Sequence, residues 1–166
     1  EDALAMVART GCDGVVVGRG CLGRPRLFTD LAAAFAGSEE RVRPGLREVT
    51  QTLRRHAVYL VDFYDGDEGR ACRDIRKHIA WYLKGFPAGS TVRHRLALVD
   101  SLQAIDDLIG TMDLEAPWPG EAAEGQRGRA GSPRVVALPE NWLRSRELDQ
   151  AQAAQVAQAE LSVSGG

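Results

Sequence analysis

Two groups of residues in this chain have types and spacings suited to chemistry. The first is Gly18-Arg19-Gly20, which ends the apolar run Val15 to Val17 and precedes Gly23-Arg24-Pro25. Glycines at a strand-to-helix turn let backbone N–H groups approach a phosphate, and a helix N-terminus adds its positive dipole end. A tight turn that needs glycine for steric reasons alone would look the same. The second group is Arg70, Arg73, Lys77, Trp81 and Lys84. At about 100° per residue they fall within roughly 80° of arc on one helix face. Cys72, Ile75, Ile79, Tyr82 and Leu83 fall on the opposite face.

From Arg70 to Arg95 there are seven Lys or Arg against one acid, Asp74, in a chain of formal net charge −2. His78 flanks the stripe, and Arg93, His94 and Arg95 lie in the same basic segment. Like charges on one face cost stability unless a partner takes them up. Cations interleaved with an aromatic suit phosphate contacts plus base or ribose stacking. A solvated face, or a helix docked on an acidic partner, would show a similar pattern.

Cys12, Cys21 and Cys72 are odd in number and fit no CxxC metal spacing, so they read as reduced thiols. No spacing joins one of them to His56, His78 or His94 as a nucleophilic pair. No carboxylate pair or His/Asp/Glu cluster stands out as an acid–base or metal site.

The elements that must position these groups follow from periodicity. Leu4 and Val7 lie three apart, and Gly11 occupies a C-cap position, so residues 1–9 read as the end of a helix. Val15 to Val17 reads as a strand buried on both faces, as in parallel sheets. Pro25 suits a first helical turn, with Leu27, Phe28, Leu31 and Phe35 on one face. Residues 1–36 thus predict helix, strand, helix. The remainder of such a sheet is expected to lie outside this chain.

Beyond Gly37 the pattern changes. Val49, Leu53, His56, Ala57, Leu60, Val61 and Tyr64 step by three and four, which predicts an amphipathic helix. Asp65-Gly66-Asp67 breaks it. Further helices are predicted over 68–84, 91–99 and 102–109, the last capped by Asp100 or Ser101. Residues 113–134, rich in Gly, Pro, Ala, Glu and Arg, read as a flexible linker. Val135 to Leu138 is a short apolar patch. A tail over 135–166 follows, with a possible helix at 140–161.

With 44% apolar residues over 166 positions, the composition suits an ordinary globular protein. The chain starts Glu-Asp-Ala-Leu, which reads as the inside of a longer polypeptide. No stretch nears the roughly 20 apolar residues of a membrane span, and no signal peptide is visible. Cytoplasm is the expected location, with no membrane partner and no metal.

The strings TGCDGVVVGRGCLGRPRLF (Thr10 to Phe28) and RDIRKHIAWYLKGFPAGSTVRHRLALVDSLQAIDDL (Arg73 to Leu108) resemble the C-terminal part of flavin-dependent tRNA-dihydrouridine synthases, nearest the bacterial B type. The likeness spans residues 1–110, and the second string is the more specific. It implies an α/β portion, the last αβα piece of an FMN-binding (β/α)8 barrel, over 1–38. An all-α four-helix bundle domain over 39–112, binding tRNA, would follow. It implies NADPH-dependent reduction of the uridine 5,6 double bond in tRNA, with hydride from flavin N5 and a proton from an active-site Cys.

By this resemblance Gly18 and Arg19, with Gly20 beside them, hold the FMN phosphate. Lys77-His78, within the stripe of Arg70, Arg73, Trp81 and Lys84 and near Arg93 and Arg95, meets the tRNA of a monomeric parent. The barrel strands around the flavin ring and the catalytic Cys loop have no counterpart here, so none of the three cysteines is assigned catalysis. The piece alone is expected to be inactive. A stand-alone helical RNA-binding module and another FMN barrel oxidoreductase acting on a small molecule remain the rival expectations.

Overall fold

The structure, a computed structural model, describes residues 1–125 and 149–154. Helix α1 (Asp2–Thr10) ends where Gly11 turns left-handed at φ 68° and donates its N–H to the Val7 carbonyl, as its C-cap glycine predicts. A single 3-10 turn, Arg19–Cys21, follows. Helix α2 (Leu27–Phe35) is launched by the Leu27 N–H to Arg24 and Phe28 N–H to Pro25 bonds. Helices α1 and α2 touch each other, yet neither contains a fully buried residue.

The strand expected at Val15 to Val17 is absent. No residue among those described is in a strand, and Val16 is 100% exposed. A strand exists only through the ladder it shares with a neighbour. The described residues supply no neighbour, so among them the β-branched run has nothing to pair with.

The helical region is built as the periodicity predicts. Helix α3 (Leu46–Phe63) starts with the Glu48 carboxylate accepting from the Gly45 N–H at 3.2 Å. It stops at Asp65 (φ 53°) and Gly66 (φ 88°), both left-handed. Asp67 then caps α4 (Glu68–Tyr82) by accepting from the Arg70 N–H at 2.8 Å. Helix α5 (Ser90–Leu96) and helix α6 (Leu102–Ile109) follow, with the Ser101 hydroxyl accepting from the Ala104 N–H. Of the two cap candidates, Ser101 is therefore the one used.

The core lies among these helices. Leu46, Val49, Leu53 and Ala57 of α3 meet Cys72, Ile75, Ile79 and Tyr82 of α4, closed by Leu96, Ile105 and Leu108. Burying each large aliphatic side chain contributes about 1.5–3 kcal/mol.

Residues 113–125, expected as the start of a flexible linker, instead pack on this core. Ala116 and Ala123 are buried, and the Leu46 and Arg47 N–H groups donate to the Ala116 and Leu114 carbonyls. A short helix, α7 (Glu121–Glu124), fits so closely that a Cβ on Gly85 would lie 2.9 Å from its backbone. Linker-like composition misled here because the contact is made by backbone carbonyls, two small alanines and the scattered side chains of Leu114 and Trp118, the latter edge-on to Phe86, rather than by a periodic apolar run. Residues 126–134 and the Val135 to Leu138 patch lie outside the described residues. Of the helix expected over 140–161, residues 149–154 are described, and 150–154 are helical.

Candidate nucleic-acid interface

Helices α3 and α4 form an antiparallel hairpin, since His56 lies beside His78 while Tyr64 reaches Asp74. Arg70, Arg73 and Lys77 stand exposed on the outer face of α4. The residues predicted to face inward, Cys72, Ile75, Ile79, Tyr82 and Leu83, are all buried. Trp81, placed by the periodicity on the same face as the cations, is half-buried with its ring edge-on to His78 at 5.1 Å. Lys84 lies past the last residue of α4 and is also half-buried.

Within the stripe the cations differ in what holds them. The Arg70 guanidinium sits 4.4 Å over the Tyr64 ring, and the Tyr64 hydroxyl donates to Asp74 at 2.8 Å. Lys77 donates to the other Asp74 oxygen. These bonds, first from Lys77 and then from Tyr64, hold the Asp74 carboxyl below its ordinary range and raise the Lys77 ammonium. Asp74 thus braces two cations and a ring into one surface. This assembly was invisible to sequence reasoning because Tyr64, at the C-terminal cap of α3, meets Asp74 of α4 only through the way the two helices pack. Arg73 has no carboxylate partner among the described residues.

Arg93 and Arg76 do structural work. Arg93 donates to the Leu83 and Phe86 carbonyls at 2.7 and 2.6 Å, closing the C-terminal end of α4. Arg76 reciprocally donates to the Val99 and Leu98 carbonyls beyond α5. Cations at helix C-termini satisfy orphan carbonyls and complement the dipole. Arg95 and His94 are exposed on α5.

His56 and His78 meet edge-on at 4.8 Å, and His56 Nδ1 lies 3.2 Å from the Tyr82 hydroxyl. Burial lowers the pKa of both, and the His78 charge further lowers that of His56. Burial pushes the Tyr82 hydroxyl up to about 12. An unfolded chain binds protons at these histidines below about 6.5 while the folded one resists, so stability should fall as pH drops through that value. Asp74 counts only further down, because its carboxyl titrates below 3.8. Thermal unfolding followed from pH 7.5 to 5 is expected to show a falling midpoint, with a shallower fall in His78→Gln. An unchanged slope in that variant would contradict the assignment.

At the other predicted site, Gly18 precedes the 3-10 turn and Arg19 and Gly20 begin it. Among the described residues no acceptor is found for the Arg19 or Gly20 N–H or for the exposed Arg19 guanidinium. A Cβ on Gly20 would meet Val17 only at ordinary contact, 3.4 Å, and its φ is not positive. Nothing among the described residues therefore requires glycine at position 20. The Cys21 thiol donates to the Gly18 carbonyl at 3.1 Å. Cys12 and Cys21 are half-buried and Cys72 buried, all as free thiols; burial, then Glu68, raises the Cys72 thiol.

The two sites are mechanically joined. Gly23, at φ 67°, lies against the Trp81–Tyr82 peptide, where a Cβ would fall 2.6 Å from the Trp81 carbonyl oxygen. Arg24 pairs with Glu124 at 2.9 Å and Arg26 with Glu48 at 3.1 Å. Among the described residues no three His, Cys, Asp or Glu could hold a metal ion, and no helix is long and apolar enough to cross a membrane.

A model of the dihydrouridine synthase family matches residues 1–112. The chain is 57% identical over 143 residues to a probable tRNA-dihydrouridine synthase of Mycobacterium leprae, covering 86% of this chain and 36% of that protein. It is 55% identical over 142 residues, with the same coverage, to a probable tRNA-dihydrouridine synthase of Mycobacterium tuberculosis. Against the tRNA-dihydrouridine synthase B of Pseudomonas putida it is 36% identical over 104 residues, 63% of this chain and 30% of that one. The chain thus spans 36% or less of the length of these three relatives. No solved structure matches. Matched over a region that contains both the Gly18–Gly20 turn and the cationic face of α4, the chain belongs to the dihydrouridine synthase family.

Proposed function

We propose that this chain is the C-terminal part of a flavin-dependent tRNA-dihydrouridine synthase, working in the cytoplasm as a monomer. Residues 39–112 form its four-helix tRNA-binding domain. Residues 1–38 are the last αβα piece of its (β/α)8 barrel. The observation that carries this reading is the exposed cationic face of α4 in a chain of this family. The unburied apolar side chains Met6, Val16, Phe28 and Phe35 support the barrel assignment, because they suit packing against strands and helices that are not among the described residues.

Arg70, Arg73, Lys77 and Lys84 take tRNA phosphates, with His78 and Trp81 beside them and Arg95 on the neighbouring helix. Arg93 supports them by holding the end of α4. The free N–H groups of Arg19 and Gly20 and the Arg19 guanidinium suit the FMN phosphate, with Gly18 leaving the turn open. When bound, FMN supplies hydride transfer from NADPH to the uridine 5,6 double bond. Cys12, Cys21 and Cys72 are structural thiols and donate no proton to the reaction.

The chain alone is expected to bind tRNA with an affinity that falls steeply with salt, and to leave uridine unreduced when FMN and NADPH are added. Filter binding over a salt series and a colorimetric dihydrouridine assay read the two outcomes. Dihydrouridine formation by these 166 residues would overturn the division of labour. Salt-independent binding, or none, would overturn the tRNA reading and favour a small-molecule oxidoreductase.

A further inference from the structure

Two large aromatics on α3 are left outside the core. Tyr59 is 62% exposed and Phe63 74%. One exposed aromatic is unremarkable on a soluble protein, but these two lie one helical turn apart on the same side. At about 100° per residue, Phe63 falls within about 20° of His56 around the α3 axis, and Tyr59 about 40° further out. His56 is the α3 residue that meets His78 of α4. The Phe63 ring stands edge-on to Tyr64 at 5.0 Å, and Tyr64 carries Arg70 on its face. The opposite flank of α3 is occupied, since Arg54 there pairs with Asp106 of α6 at 2.6 Å. The exposed aromatic row therefore lies on the flank of α3 that borders the cationic face of α4.

We propose that Tyr59 and Phe63 form a stacking platform for unpaired bases of the tRNA whose phosphates the α4 cations hold. The proposal rests on the tRNA-binding reading above and names a second wall of that site. Charge complementarity selects the occupant. A polyanion drawn to Arg70, Arg73 and Lys77 brings its bases within reach of the neighbouring flank. Every base has a π-face, so exposed rings beside a cationic track give sequence-tolerant affinity. The two walls differ in their physics. Cation contacts release counterions and set the salt slope, whereas stacking adds affinity with little salt dependence.

The test is fluorescence anisotropy of labelled tRNA with the 166-residue chain over a salt series. The double variant Tyr59→Ala/Phe63→Ala is expected to bind about tenfold more weakly with an unchanged salt slope. Tyr59→Phe should bind like the wild type, because the ring and not the hydroxyl stacks. Circular dichroism should show both variants folded, as expected for side chains outside the core. Wild-type affinity in the double variant, with Arg73→Glu still lowering the slope, would overturn the platform and leave the tRNA reading standing. A wild-type chain that shows no salt-dependent binding overturns both. A double variant that changes oligomeric state in light scattering, with tRNA affinity intact, would assign the row to contact between copies and also overturn the proposal.

Discussion

Replacing Arg73 and Lys77 together by glutamate is expected to weaken tRNA binding by on the order of 100-fold near 0.1 M salt and to lower the salt slope by about two. Each cation that meets a phosphate releases counterions, so losing one lowers the slope by about one. The two residues should not contribute equally. Lys77 already donates to Asp74, whose ionised carboxylate offsets part of its charge. Arg73 has no such carboxylate among the described residues. Arg73→Glu alone should therefore cost more than Lys77→Glu alone. Both side chains are exposed, so the fold should survive. Electrophoretic shift or anisotropy at several salt concentrations measures the slope directly. Equal binding by the double variant and the wild type would remove α4 as the RNA surface.

Gly23→Ala is expected to destabilise residues 1–125 by about 3 kcal/mol, lowering the thermal midpoint by about 10 °C. Two effects add. The position has φ 67°, which a side chain adopts only with strain. The new Cβ would also press on the Trp81–Tyr82 peptide, which is backbone and has no rotamer by which to yield. Gly37→Ala separates the two, because Gly37 shares a left-handed φ of 82° but has nothing within 4 Å of its would-be Cβ. Its cost should be only about 1 kcal/mol. Equal losses in the two variants would mean that the close approach of Gly23 to α4 contributes nothing. If Gly23 shifts, the Arg19–Cys21 turn is no longer fixed against the helix that carries the cations. On the proposed reading, Gly23→Ala in a full-length synthase should weaken FMN retention together with stability, which flavin release on dilution would measure.

The helices were legible because their hydrogen bonds are local. The apolar spacing of α3 and the breaker Asp65-Gly66-Asp67 sit within a few residues of what they determine, and so do the caps at Gly11 and Ser101. The inward and outward faces of α4 follow from the same 3.6-residue period. What long-range contact decides was not legible. Residues 113–125 have a linker's composition, yet two alanines, a few carbonyls and the scattered side chains of Leu114 and Trp118 bind them to the core. Arg93 counted as one more cation in a basic segment, and the structure spends its guanidinium on the end of α4.

By itself, then, the sequence determined helices α1 to α6 and that one of them, α4, carries a cationic face. Both properties are periodic along one chain segment. The tertiary structure alone decided which cations remain available, because a guanidinium or ammonium is committed only by the carbonyl or carboxylate that folding brings beside it. It also decided that Val15 to Val17 stays unpaired among the described residues, since a strand is a property of two chain segments and they supply only one. And it decided that Gly23 touches α4, joining the Gly18–Gly20 turn to the helix about sixty residues later, a distance along the chain that no local pattern spans.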